Sequence, residues 1–175
     1  MDPSEKPARK RRIAIVGSRG VDKSSLITQF VENHFVETYY PTIESTFNKV
    51  ITYAGVNYDC DLIDTAGQDE YSVLSARNAV NTHAYMLVYS ITSRNSLDMA
   101  VLVHEKILDF TGLDSFPCVF VGNKCHEHQS RQVSREEGRT RAKERNAAWI
   151  ETSTKFNENV GETDMSFFRR PTLMH

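Results

Sequence analysis

The 175-residue sequence has few of the features that mark secreted, membrane-spanning or nucleic-acid-binding proteins. Its three cysteines, Cys60, Cys118 and Cys125, are irregularly spaced, which argues against a disulfide framework and fits free thiols in a reducing compartment. No apolar run approaches the length of a membrane span, and no signal-peptide core is present. The formal net charge of −2 gives no reason to expect nucleic acid as a partner. We therefore expect a cytoplasmic protein.

The overall composition, with 39% hydrophobic and 25% charged residues, is ordinary for one soluble domain. Residues 1–11 carry a basic run and are interpreted as a flexible arm, for which weak contact with an anionic membrane is the alternative. Residues 12–170 form the predicted domain. Residues 171–175 are a short tail with no cysteine to accept a prenyl group.

The segment Gly17–Ser25 lies between an apolar stretch, Ile13–Val16, and a run with helical spacing. Strand, glycine-bearing turn and helix in this order place backbone N–H groups and a helix N-terminus around an anion. Gly17, Lys23 and Ser24 match the pattern G-x-x-x-x-G-K-[ST], in which the lysine contacts phosphate and the hydroxyl binds Mg²⁺. The sequence therefore predicts a phosphate loop here.

Buried strands alternate with amphipathic helices along the rest of the chain, and the first two of these strands form an antiparallel hairpin. This alternation predicts an α/β fold, a doubly wound and mostly parallel sheet with helices on both faces. A closing helix is expected from Glu158 onward. The other predicted strands are Thr46–Tyr53, Val56–Ile63, Ala84–Ser90, Cys118–Gly122 and Ala147–Glu151, and the other predicted helices are Ser96–Phe110 and one from Ser134 to about Arg145.

Polar segments follow several of these strands. Asp64–Gln68 comes after the second strand of the hairpin, Asn123–His126 after the fifth strand, and Ser153–Lys155 after the last. Because parallel strands end at one edge of a sheet, these segments and the phosphate loop are expected to form one ligand site.

Taken in order, these segments resemble the Ras superfamily of small GTPases from about Arg12 to Arg170, and within it the Rheb branch. The resemblance implies a six-stranded small G-protein fold, a monomer, and binding of GTP or GDP with Mg²⁺. The residues that point to the Rheb branch are Arg19, Tyr40–Glu44, Asp64–Tyr71, Asn146–Ala148 and Phe168–Arg170.

The resemblance also implies roles in catalysis and metal binding. Ser24 and Thr42 would bind Mg²⁺ through their hydroxyls, and Asp64 would hold the ion through water. Thr42 and Gly67 lie in the two loops that would order around a γ-phosphate. Gln68 would orient the attacking water.

For the nucleotide itself, the resemblance implies contacts from both ends of the site. Lys23 would neutralise the phosphates, backbone N–H groups of the phosphate loop would cradle them, and Phe35 would pack against the base. The full set of implied nucleotide contacts is Gly17, Arg19, Gly20, Val21, Asp22, Lys23, Ser24, Ser25, Phe35, Tyr39, Thr42, Gly67, Asn123, Lys124, His126, Ser153, Thr154 and Lys155.

Two residues depart from the family pattern. Asp22 replaces the second glycine of the phosphate motif, and a carboxylate about 5 Å from a phosphate oxygen costs on the order of 3 kcal/mol per charge pair at an effective dielectric near 20. His126 replaces an aspartate that accepts two guanine N–H groups, whereas a neutral imidazole accepts one hydrogen bond at most. These changes predict reduced affinity and a weakened preference for guanine.

Three hypotheses follow. The first is a Rheb-like GTPase switch with weak hydrolysis, acting through loops 37–47 and 64–75 on an effector or regulator, by resemblance the TOR kinase complex. Endomembrane association is implied by resemblance alone. The second is a pseudo-GTPase that holds nucleotide poorly and acts by occupying a partner of Rheb- or Ras-type proteins. The third is a decayed copy without function.

Overall fold

The computed structural model describes residues 7–35, 45–65, 67 and 81–161. This part of the chain contains a six-stranded sheet, three α-helices and one turn of 3₁₀ helix at His128–Ser130. None of these helices is long and apolar enough to cross a bilayer. The strands are β1 (Arg9–Gly17), β2 (Ser45–Tyr53), β3 (Val56–Asp64), β4 (Ala84–Ser90), β5 (Cys118–Asn123) and β6 (Ala148–Glu151), and the α-helices are α1 (Lys23–Glu32), α2 (Arg94–Thr111) and α3 (Arg135–Glu144).

The sheet has the strand order β2-β3-β1-β4-β5-β6. β2 pairs antiparallel with β3, and every other neighbouring pair is parallel. The predicted six-stranded, mostly parallel α/β sheet is therefore confirmed. The strand order reverses direction next to β1, so the segment that follows β1 lies at the edge where such sheets bind ligands.

The central strands are buried on both faces, and alternate residues of β1 belong to different cores. Ile13 and Ile15 pack in the cluster that contains Leu26 and Ile27 of α1. Ala14 and Val16 pack in the cluster formed with α2 and α3. The continuous apolar run of β1 thus reflects burial by helices on both sides, as is usual for parallel strands.

β1 begins at Arg9, earlier than the predicted start at Ile13. Lys10 forms an ion pair of 3.0 Å with Asp59 of β3, and the Arg11 guanidinium lies 5.5 Å from the centre of the Tyr58 ring. Residues 9–11, which the sequence assigned to the flexible arm, therefore extend the sheet. The residues before position 7 and the predicted closing helix after Gly161 lie outside the described residues.

α3 packs closely against the sheet at Gly138. A Cβ added there would collide with the Tyr89 hydroxyl and lie 2.6 Å from Nε1 of Trp149. These two groups form a hydrogen bond of 2.9 Å with each other. The missing side chain at Gly138 therefore allows both the helix contact and a hydrogen bond between β4 and β6.

We predict that Gly138→Ala lowers the free energy of unfolding by about 1–3 kcal/mol, because the new methyl group overpacks this contact. At an exposed position inside a helix, the same change would instead raise the free energy of unfolding by about 0.5–1 kcal/mol. Urea denaturation followed by circular dichroism measures the difference. Gly161→Ala is the control for the loss of a glycine without overpacking, since a Cβ at Gly161 meets no atom of the described residues within 4 Å. A Gly138→Ala variant as stable as the parent would contradict the packing argument.

Candidate functional site

The phosphate loop leaves β1 at Gly17 and enters α1 at Lys23. A Cβ at Gly17 would collide with the carbonyl oxygen of Val88 in β4, so only glycine allows the chain to turn so close to that strand. Gly20 has a φ of +77° and is exposed, whereas the side chain of Val21 is buried. The predicted strand-turn-helix arrangement is confirmed.

Asp22 is the residue that precedes α1, and its backbone is left-handed, with φ 64° and ψ 40°. Its carbonyl oxygen accepts the first helical hydrogen bond from Leu26 N at 2.9 Å. Glycine adopts this conformation without steric cost, whereas aspartate, which enters it more readily than most other residues, still carries a Cβ that glycine lacks. The glycine of the motif is therefore replaced at a position whose backbone favours glycine.

The Asp22 carboxylate does not cap α1 but points toward the segment after β5. Its Oδ2 lies 4.0 Å from Nζ of Lys124, whose own backbone is left-handed with φ 63°. Burial raises the pKa of Asp22, and the nearby Lys124 ammonium opposes this shift. The contact adds negative charge beside the phosphate loop and joins that loop to the segment implied to bind the base.

Lys23 is buried, with 7% of its surface exposed, and its Nζ donates a hydrogen bond of 2.8 Å to the carbonyl oxygen of Ser18. Burial lowers the pKa of Lys23 to about 8, although the carboxylate of Asp64 acts in the opposite direction. The ammonium is therefore held within the loop and is mostly charged at neutral pH. It is placed to receive an anion.

Ser24 and Asp64 are brought together as predicted. The Ser24 hydroxyl donates to Oδ2 of Asp64 at 2.6 Å, while the buried Oδ1 has no hydrogen-bond partner among the described residues. Burial raises the pKa of Asp64, against the effects of the Ser24 hydrogen bond and the Lys23 charge. A buried, unpartnered carboxylate oxygen beside a hydroxyl provides the hard oxygen ligands that Mg²⁺ prefers, so these residues fit the ion.

Gly67 approaches the phosphate loop at Arg19. A Cβ at Gly67 would lie 2.9 Å from the Cα of Arg19, so a side chain there would force the two segments apart. This contact places the start of the second predicted switch loop against the phosphate loop. The other residues implied in these loops, Tyr39, Thr42 and Gln68, lie outside the described residues.

Asn123 joins the segments of the site to one another. Its Nδ2 donates to the carbonyl oxygen of Val21 at 3.1 Å, and its Oδ1 accepts from the Thr152 hydroxyl and from both the N–H and the hydroxyl of Thr154. The residue is fully buried. The side chain of Asn123, for which the resemblance implies contact with the base, therefore holds the phosphate loop against the segment after β6.

One residue that supports this arrangement, Gln29, was missed from the sequence. The Nε2 of Gln29 donates to the carbonyl oxygen of Thr154 at 3.0 Å from a buried position on α1. The only indication of this role in the sequence was that a glutamine lies among the apolar residues of that helix. Thr154, which the resemblance places among the nucleotide contacts, donates a hydrogen bond of 3.0 Å from its hydroxyl to Oδ1 of Asn123.

The base end of the site also contains His126, Ser153 and Phe156. Nδ1 of His126 lies 2.8 Å from the Ser153 hydroxyl, and its ring meets that of Phe156 edge-on, with centroids 5.1 Å apart. Phe156 is 64% exposed and was not predicted as a site residue. Lys155 Nζ lies 5.8 Å from the centre of the same ring. Two further implied contacts are half-buried: Ser25 lies in the first turn of α1, and Phe35 follows the end of that helix by three residues.

Comparison with known proteins agrees with this geometry. The Ras family sequence profile matches residues 12–171. The chain is 54% identical over 154 residues to the GTP-binding protein rhb1 of Schizosaccharomyces pombe, covering 88% of this chain and 83% of that protein. It is 49% identical over 156 residues to the GTP-binding protein Rheb homolog of Drosophila melanogaster, covering 89% and 86%.

The chain is also 46% identical over 166 residues to the human GTP-binding protein Rheb, which covers 95% of this chain and 88% of the human protein. The identity extends well beyond the phosphate loop, so it accounts for the whole sheet and for the segments at its ligand-binding edge. The chain belongs to the Ras family and is a Rheb-like small GTPase.

Proposed function

We propose that this Rheb-like small GTPase binds GTP and GDP with Mg²⁺ at the edge formed by the phosphate loop and the segments after β3, β5 and β6. The observation that carries the proposal is the grouping of Lys23, Ser24 and Asp64. A buried ammonium, a hydroxyl and a carboxylate with one oxygen unpartnered among the described residues suit a phosphate chain and its cation. Mg²⁺, when bound, would neutralise phosphate charge, with Ser24 and Asp64 holding it.

GTP hydrolysis is proposed to be slow. Arg19 lies beside Gly67, and the close backbone approach of these residues directs a bulky side chain to the junction of the phosphate loop and the second switch loop. Crowding at this junction restricts the space in which a water and its positioning residue can be arranged. The water-orienting role of Gln68 is carried over from the family motif.

The proposed partner is an effector or regulator that contacts loops 37–47 and 64–75, with the TOR kinase complex as the target suggested by the Rheb resemblance. Ser45–Phe47 begin β2, which is an edge strand of the sheet. An edge strand offers backbone groups to a partner. We also propose that the protein acts in the cytoplasm, in keeping with its free cysteines.

A second candidate is a binding module that holds nucleotide poorly. The observation that favours it is the Asp22 backbone and its carboxylate, which together place strain and negative charge at the start of α1. Lys124 offsets part of this charge from within the protein. The two candidates share one fold and differ in nucleotide affinity.

We predict that Asp22→Gly raises the affinity for GDP about a hundredfold, because it removes a charge repulsion on the order of 3 kcal/mol and restores an unstrained turn. Calorimetric titration of nucleotide-stripped protein with GDP and Mg²⁺ measures the change, with ADP as the control ligand. Failure of the Asp22→Gly variant to bind GDP would contradict the proposed function.

Asp22→Asn is the matched control for charge. Asparagine tolerates a left-handed backbone and has nearly the shape of aspartate, so it removes the charge with little change in geometry. If charge dominates, this variant recovers most of the gain in GDP affinity. If GDP affinity rises in Asp22→Gly but not in Asp22→Asn, the weak binding of the parent protein is due to backbone strain and side-chain bulk.

We predict that GDP affinity falls about fourfold between pH 7 and pH 8.5, because the pKa of Lys23 is about 8 in the free protein and a bound phosphate favours the charged ammonium. Above the free-protein pKa, binding must take up a proton, so affinity decreases as pH rises.

The measurement is calorimetric titration of the nucleotide-stripped protein with Asp22 retained, because the Asp22 charge contributes to the pKa of Lys23, in two buffers with different heats of ionisation. Proton uptake makes the binding enthalpy at pH 8.5 depend on the buffer, while at pH 7 the dependence is much smaller. Equal affinities at the two pH values, with buffer-independent enthalpies, would refute the assignment to Lys23.

A further inference from the structure

The position at which the Ras family motif has a carboxylate is occupied here by an imidazole that is fixed in place. His126 is held through Nδ1 by the Ser153 hydroxyl at 2.8 Å and at its ring edge by Phe156. Ser153 is fully buried, and its backbone is paired with Glu158 through two hydrogen bonds of 3.0 and 2.9 Å. The imidazole is therefore positioned by a rigid turn.

The hydrogen bonds of Ser153 favour one tautomer of the neutral His126 ring. The Ser153 oxygen accepts the N–H of Phe156 at 3.2 Å, and among the described residues Nδ1 of His126 is the one side-chain atom that can accept the hydroxyl hydrogen. A buried hydroxyl without an acceptor would be costly, so the hydroxyl donates to Nδ1. In the neutral ring the hydrogen then lies on Nε2.

The same conclusion holds for the charged ring, because both nitrogens of an imidazolium carry hydrogens. In either protonation state Nε2 of His126 is a donor. The charged groups around it are Glu127, with Oε1 4.0 Å from Nε2, and the Lys124–Asp22 pair on the adjoining residues. The carboxylate that accepts hydrogen bonds in the family motif has thus been exchanged for a donor of fixed orientation.

We propose that His126 changes the base preference of this site toward a purine with a hydrogen-bond acceptor at ring position 2, so that a xanthosine diphosphate binds more tightly than a guanosine diphosphate. The inference rests on the proposed nucleotide function. Guanine presents a 2-amino donor to this residue, which opposes the Nε2–H, whereas xanthine presents a 2-oxo acceptor. Both purines retain the 6-oxo group.

The test compares xanthosine, guanosine and adenosine diphosphates with Mg²⁺ by competition for the nucleotide-stripped Asp22→Gly protein, a background that removes the repulsion at the phosphate end. We expect xanthosine diphosphate to bind about tenfold more tightly than guanosine diphosphate. His126→Asp should reverse the order, because it restores the carboxylate acceptor.

Ser153→Ala separates positioning from simple structural support. Without the serine hydroxyl the neutral ring is free to place its hydrogen on Nδ1 and to offer Nε2 as an acceptor, so the preference for xanthosine diphosphate should shrink while adenosine diphosphate stays weak. A merely structural role would lower all affinities equally. Glu127→Gln is the matched variant for the neighbouring carboxylate, and a loss of guanosine diphosphate binding there would show that Glu127 replaces the missing acceptor and would overturn the proposal.

The outcomes separate the inference from the function on which it rests. Tighter binding of guanosine than xanthosine diphosphate by the Asp22→Gly protein would overturn the inference and leave the proposed GTPase function standing. No binding of any diphosphate in that background would overturn both. Preference for xanthosine diphosphate that is unchanged by His126→Asp would assign the selectivity to another residue and reject the role of His126.

Discussion

The turn at residue 22 constrains both the phosphate loop and the helix that follows it. The chain must leave β1 beside the Val88 carbonyl and start α1 only six residues later, at Lys23. A left-handed residue immediately before Lys23 makes this path possible. With Asp22 in that place, the turn is retained at a conformational cost, since the helix contacts of Leu26 and Ile27 in the core hold α1 in position.

Asn123 explains how the turn stays in place although its own sequence disfavours it. One side chain joins Val21 in the phosphate loop to Thr152 and Thr154 after β6, in a fully buried network in which both ends of the amide are used. Such a network keeps separate segments in one arrangement more effectively than pairwise surface contacts do. The ligand-binding edge is therefore shaped by contacts within the protein.

The sheet and the grouping of the site segments could be predicted from the sequence because both follow from strong periodic signals. The run Ala84–Ser90 is apolar on both faces, and its predicted bounds are those of β4. Lys23, Ser24 and Asp64 were placed together because strands of a parallel sheet end at one edge. Boundaries were less certain: the basic residues from Arg9 gave no sign of a strand, since their pairing with β3 depends on Lys10 finding Asp59 across the sheet.

What the sequence did not reveal are contacts between residues far apart in the chain. The partner of Asp22 is Lys124, about a hundred residues later, and the partner of His126 is Ser153. These contacts affect how the two departures from the family pattern, Asp22 and His126, are interpreted. Each substituted side chain is held by a residue of the ligand-binding edge, so each acts with a defined orientation. Because Lys124 belongs to the base segment while Asp22 belongs to the phosphate loop, their ion pair places an ammonium of one end 4.0 Å from the carboxylate that was substituted into the other.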